Sequence, residues 1–224
     1  MSSIVPLGNL NPPAHTFPTD HCYFGLANPA TKVPIYAPGN IKLIQINPAQ
    51  RSVSGVQNGQ DFDLDFCIGN DYFLRFGHVS ELSPEINSLI TSEMNNSCQT
   101  YTTGGTAYTH CSQPVNYSVA AGQQIGEAGG QTTVSALDIG LYKTTIGARE
   151  NAVCPFTFYK KAHWDIIQLK LGNYNLTQKR TIEPKCGEIF LDVTNTAKGI
   201  WLKQGQPFYP EDPHIAFIND NVNP

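Results

Sequence analysis

Short runs in which apolar and polar residues alternate recur along this chain, set apart by Gly, Pro and Asn. Phe62-Asp63-Leu64-Asp65-Phe66 and Ala136-Leu137-Asp138-Ile139-Gly140 show the period of two that sends successive side chains to opposite faces of a strand. The same pattern predicts strands over 22–26, 34–37, 41–46, 62–68, 72–77, 135–142, 166–170, 188–193 and 199–203, rich in β-branched and aromatic residues. Two stretches suggest helix. One, over 83–95, opens on Ser83-Pro84-Glu85, with Ser to cap, Pro at the first position and an acid in the first turn. The other, over 148–161, is weaker. A soft boundary near 146–153 separates residues 1–146 from residues 147–224. The second part reads as a β extension with a Pro/Asn-rich tail, expected to pack on the first.

A chain of 224 residues is long enough to bury a core of its own. Charged residues make up 14%, well under the usual quarter or so, and turn and strand formers fill the gap. The net charge of −4, with no basic block, excludes electrostatic recruitment to nucleic acid. No apolar run approaches the roughly 18 residues of a membrane-spanning helix. The first twenty residues lack a basic and apolar leader pattern. They read as the start of a mature secreted or periplasmic chain, or of a cytosolic one. Six widely spaced cysteines without a CxxC pair lean toward export and one to three disulfides. Cys98 and Cys111 flank a segment centred on the turn Thr103-Gly104-Gly105-Thr106, and a disulfide is expected there, with two free thiols as the alternative.

Three segments in order carry a family resemblance. Val33-Pro34-Ile35-Tyr36-Ala37-Pro38-Gly39-Asn40 is similar to a "PVYAPADG" segment, and Phe76-Gly77-His78-Val79-Ser80 to "YGHLS". Val119-Ala120-Ala121-Gly122-Gln123-Gln124-Ile125-Gly126, with Gly129-Gly130 behind it, is similar to "VKAGQVIGxxGxTG". Together, over residues 15–145, they resemble the lysostaphin-type zinc endopeptidases of peptidoglycan. The resemblance implies an all-β fold, an antiparallel β-sandwich with a groove across one sheet. It also implies a zinc-dependent hydrolase acting on cell-wall peptide, with His78 in the catalytic cleft.

The ligand positions depart from that pattern. Where the family has His-x-His, this chain has Ala136-Leu137-Asp138. Upstream, His21 is the counterpart of the family's Asp, Phe17 stands at its His position, and His15 lies just before. One reading is an exchanged metal site of His15, His21 and Asp138, two imidazoles and a carboxylate, a set that zinc accepts with a fourth position open. The other is an inactive cleft that binds cell-wall peptide, glycan or a partner protein, with Tyr101 and Tyr108 on its rim. The substrate expected under the first is a peptide, ester or cell-wall fragment.

Asp20 either orients His21 or caps the loop. Asp61, Asp63 and Asp65 read as a solvated acidic strand face, with calcium as a minor option. His110 is a rim candidate, while His163 and His214 read as surface or structural residues and Trp201 as a core anchor. No G-x-S-x-G elbow, Walker loop or dinucleotide fingerprint occurs.

Overall fold

The alternation read along the chain becomes, in space, one large sheet with two unlike faces. The computed structural model describes residues 1–53, 56–131 and 134–224. In chain order the strands begin with β1 (Ile4–Val5), β2 (Cys22–Gly25), β3 (Val33–Tyr36), β4 (Ile41–Val53), β5 (Val56–Ile68), β6 (Tyr72–Val79) and β7 (Glu81–Leu82). They continue with β8 (Gln99–Thr103), β9 (Thr106–His110), β10 (Gln113–Val119), β11 (Gln124–Ala128), β12 (Ala136–Lys143), β13 (Ala152–Val153), β14 (Gly199–Trp201) and β15 (Ile215–Phe217). Two short helices join them, α1 (Pro84–Asn87) and α2 (Lys161–Ile167).

The main sheet runs β1-β2-β12-β6-β5-β4-β9-β8, with β10 also paired to β4 and β13 to β12. A second sheet, β3-β11-β7, lies apart from it, and every pairing between named strands is antiparallel. The inward faces of both sheets meet in one apolar cluster. Leu43, Ile46, Leu64, Phe66, Phe76 and Ile139 come from the large sheet, and Ile35, Ile125 and Leu82 from the small one. Each such side chain, fully buried, contributes about 1.5–3 kcal/mol. The chain is thus an all-β antiparallel sandwich.

The period of two fixes what the opposite face carries. On β5, Phe62, Leu64 and Phe66 enter the core, so Asp61, Asp63 and Asp65 project away from it. On β12, Leu137, Ile139 and Leu141 enter the core, leaving Ala136, Asp138 and Gly140 opposite. The polar face of the main sheet is where the candidate site lies.

Residues beyond 146 pack on the start of the chain through a second cluster, in which Ile4, Leu7 and Cys22 meet Phe156, Ile167, Leu171, Cys186 and Ile189. A disulfide joins Cys154 to Cys186 inside this region. The expected Cys98–Cys111 disulfide forms and ties the 3-10 turn Ser92–Ser97 to the end of β9. Closing that loop contributes about 3 kcal/mol in the chain-entropy account. Cys22 and Cys67 are free, and burial pushes the Cys22 thiol up to about 12.

Five sequence readings are corrected here. The segment 166–170 is not a strand but the end of α2 and a 3-10 turn, Gln168–Lys170. A short apolar run does not declare its period. Lys161 pairs with Asp165 one turn on, and Trp164 and Ile167, three apart, both join the Phe156 cluster. The segment 188–193 forms no strand either: Ile189 anchors it, and Asp192 accepts a hydrogen bond from the Ile200 amide at 3.1 Å. The helix over 83–95 shrinks to α1, capped by Ser83 as expected (Ile86 N to Ser83 Oγ, 3.4 Å), followed by the separate 3-10 turn. The weaker helix over 148–161 is replaced by a 3-10 turn, Arg149–Asn151, and β13. Trp201 is half exposed instead of anchoring a core, and its indole donates to the Ala197 carbonyl at 2.8 Å.

Candidate metal and catalytic cleft

A cleft of about 460 Å³ opens over the polar face of the main sheet, and His15, His21, His78 and Asp138 all line it. Asp138 sits at its floor, paired across the sheet with Tyr23 of β2 on one side and Gly77 of β6 on the other. His21 immediately precedes β2. His78 reaches the same face through a local irregularity: the β5–β6 register shifts between Phe62 and Leu64, and His78 adopts a φ of 61°. The bulge sends Gly77 and His78 outward in succession, between Phe76 and Val79, which both enter the core. A non-glycine residue in this left-handed region costs energy that the fold must supply elsewhere, and such residues concentrate at functional sites.

Gly77 is needed for space. A Cβ there would lie 3.0 Å from Asp63 Oδ1 and 3.2 Å from Asp138 Cβ. Above Gly140 the room is already taken by the Tyr142 ring. The open ground beside Asp138 therefore lies toward the imidazoles.

The two imidazoles are held alike. His21 Nδ1 lies 2.8 Å from Asp20 Oδ1, and His78 Nδ1 lies 2.9 Å from Asp61 Oδ2. A carboxylate only accepts, so each Nδ1 carries the proton and each Nε2 is left to face the cleft. Both Nε2 atoms then point at one carboxylate oxygen: Asp138 Oδ2 is 3.3 Å from His21 and 3.4 Å from His78. Arg51 Nη2 donates to Asp61 at 2.7 Å and completes the chain of alternating charges. Asp20 thus orients His21, the first of the two roles its position suggested.

The electrostatics follow from that row. Burial opposes a charge on His78, but Asp138 and Asp61 outweigh it and raise its pKa to about 9. His21 is raised in the same way, against burial, by Asp138 and Asp20. Burial would raise Asp20, yet its hydrogen bond to His21 holds it down at about 2. His15 goes the other way: burial first, then the charge of His21, lowers it to about 4. Its ring lies edge-on to His21 with centroids 5.6 Å apart.

Two buried polar atoms at the centre of this arrangement have no hydrogen bond, His21 Nε2 and Asp138 Oδ1. One imidazole nitrogen and one carboxylate oxygen, both dehydrated and both unsatisfied, are donor types that zinc takes. By donor type these two atoms would suit a divalent cation, which would need at least one further ligand from a neighbouring side chain. Among the described residues, no three His, Cys, Asp or Glu side chains are already closed into a ligand group.

The acidic face of β5 is not solvated as its sequence suggested. Asp61 and Asp65 are buried because cationic partners from neighbouring strands cover them, Arg51 and His78 for the first and Arg75 for the second at 2.7 Å. Those partners also remove the basis for a calcium site. Asp63 has no such partner among the described residues, and burial raises its pKa to about 6. An acid whose folded pKa lies above its unfolded value destabilises the fold once ionised. The penalty is absent below about pH 4 and complete above pH 6. Asp63→Asn is therefore expected to raise stability by on the order of 2 kcal/mol at pH 8 and to leave it unchanged at pH 3.5. Thermal melts at the two pH values check this, and an unchanged melting point at pH 8 would contradict the burial argument.

His110 lines the cleft beside Tyr101 and Tyr108, as the rim reading expected. His214 is buried and structural: Nδ1 accepts from the Lys203 amide, Nε2 donates to the Pro207 carbonyl, and the ring stacks on Phe17. His163 is exposed on α2. Sequence reasoning missed Arg149, Tyr209 and Glu211, which bring residues beyond 146 into the cleft wall. They lie far along the chain from the motifs, and no local pattern marks them.

No protein-family profile matches this chain, and no curated protein does. Among solved structures, it is similar to a mutant of the catalytic domain of the prophage-encoded M23 protein EnpA from Enterococcus faecalis. The identity is 16% and the TM-score 0.37, over 71% of this chain and 95% of that one. A likeness this distant fixes no chemistry.

Proposed function

We propose that this chain is a metal-dependent hydrolase of amide or ester bonds, with zinc held by His21, Asp138 and His15 and with His78 carrying a proton. The observation behind this reading is the pair of imidazoles whose Nδ1 atoms are tied to carboxylates while their Nε2 atoms face Asp138. Lone pairs directed at a carboxylate repel it unless a proton or a cation intervenes, and a buried site has reason to hold one or the other. His15, whose lowered pKa leaves it neutral at pH 7, supplies an uncharged imidazole beside His21.

When bound, zinc would supply a Lewis acid that polarises a carbonyl and acidifies water. Asp20 fixes the His21 tautomer, and Asp61 with Arg51 fixes that of His78. His78, held protonated near neutral pH by Asp138 and Asp61, is thereby placed to give a proton to a leaving group and to take one back from water, with Nε2 as the exchanging atom. The motif resemblance adds the substrate class, a peptide of the cell wall. The two disulfides favour an oxidising compartment, secreted or periplasmic.

A second reading, a binding cleft without turnover, draws support from the lack of a ready three-residue ligand group among the described residues. The two separate in one assay. Purified cell-wall sacculi and a crosslinked synthetic peptide are incubated with protein alone, with EDTA, and with EDTA followed by excess zinc. Cleavage abolished by EDTA and restored by zinc is the expected result. Saturable binding indifferent to EDTA, with no cleavage, would leave only the binding reading.

A further inference from the structure

Arg149 follows the main-sheet strand β12 and opens the 3-10 turn that leads to β13. Its side chain is 10% exposed and packs beside two touching rings, 5.6 Å from the Phe17 centroid and 6.0 Å from that of Phe208, whose own centroids are 5.0 Å apart. Nη2 donates to Glu211 Oε1 at 2.6 Å, and Glu211 Oε2 accepts the Phe17 amide at 2.8 Å. Glu211 is then satisfied at both oxygens. Arg149 is not: among the described residues its Nε and Nη1 are buried without a hydrogen-bond partner, although the Tyr209 hydroxyl lies close enough to feel its charge.

A guanidinium offers five N–H donors in a fixed plane. Leaving charged donors dehydrated and unmatched is among the costlier things a fold can do, and such an exception calls for an explanation. Here the explanation has a location. Arg149 lines the same cleft as His15 and Asp20, and its charge is felt at both.

We propose that Arg149 anchors a carboxylate-binding subsite at the extension end of the cleft, which takes a peptide by its free carboxylate. Glu211 already offsets part of the guanidinium charge and Asp20 lies nearby, so the site suits a monoanion better than a dianionic phosphate. The inference rests on the hydrolase reading only in treating that peptide as a substrate. It narrows the substrate class to peptides bearing a carboxylate on the Arg149 side of the scissile bond.

The test is calorimetric titration of the full chain in EDTA, so that zinc plays no part. The probes are N-acetyl-triglycine, its C-terminal amide and inorganic phosphate. The acid is expected to bind at least about tenfold tighter than the amide, and tighter than phosphate. Arg149→Lys keeps a cation beside Glu211 but removes the fork, and should lose about tenfold or more of the acid's affinity with little change in melting point. Should that variant fail to fold, Arg149→Met combined with Glu211→Gln removes the pair together and should lose acid binding likewise. Equal affinity for acid and amide, tighter binding of phosphate, or undiminished binding by a folded Arg149 variant would each overturn the proposal. Because the measurement is metal-free, its outcome is independent of whether the zinc reading holds.

Discussion

Asp138→Ala is expected to abolish zinc uptake, and hydrolysis with it, while the protein stays folded. Asp138 is the residue on which both imidazoles converge, and its Oδ1 is buried without a partner. Removing a ligand itself is expected to weaken zinc binding by more than the roughly 100-fold that the loss of a supporting partner can cause. The fold survives because little depends on this carboxylate sterically. Ala136 and Gly140 flank it on the same face, and its strand keeps Leu137, Ile139 and Leu141 in the core. Losing Asp138 removes the counter-charge of His21 and His78, but imidazoles shed a proton where a lysine or arginine could not. The cost to stability should therefore stay on the order of 1–2 kcal/mol. Equilibrium zinc titration of wild type and variant, followed by melting of both, measures the two effects separately. A variant that still takes up a full equivalent of zinc contradicts the ligand role.

Replacing His78 should do the opposite, sparing the metal and stopping the reaction. The appropriate variant is His78→Asn, since Asn tolerates the left-handed backbone that His78 adopts at φ 61° and Ala does so less readily. Loss of a positioned proton carrier lowers turnover by about 10²–10⁴-fold. Zinc affinity should remain within about tenfold, the lower end of what a supporting residue contributes. His15→Ala gives the mirror image, with loss of zinc preceding loss of activity. If His78→Asn loses zinc while His15→Ala retains it, the two histidines exchange roles and His78 becomes the third ligand.

The sandwich was legible where alternation was strong. Phe62–Phe66 and Leu137–Leu141 announced both their strands and which residues would share the cleft face. The solvation of that face was not legible, because Arg51 and Arg75 arrive from neighbouring strands and pairing across a sheet leaves no local trace. His78 could be found from its motif but its partner Asp61 could not, since the contact spans a register shift between β5 and β6. Asp20 was ambiguous for a related reason. Neighbours on a regular strand point apart, and the pair lies just before β2, where that rule lapses. Beyond residue 146 the reading weakened. Short apolar runs such as 166–170 carry no decisive period, and packing against Phe156 settled the matter in favour of helix. The Arg149–Glu211 pair joins residues 62 positions apart. Only the fold brings it to the cleft.

The central claim is that the carboxylate–imidazole row around Asp138 holds a divalent metal. Its most direct test is the zinc content and the melting point of the wild-type protein, purified without added metal and then titrated with zinc in the presence and absence of EDTA. The account predicts uptake of one equivalent and a melting point that falls on chelation and recovers with zinc. Less than about 0.2 equivalents of any transition metal, with none taken up on titration and a melting point indifferent to EDTA, would contradict it, since a ligand that binds only the folded state must raise its stability.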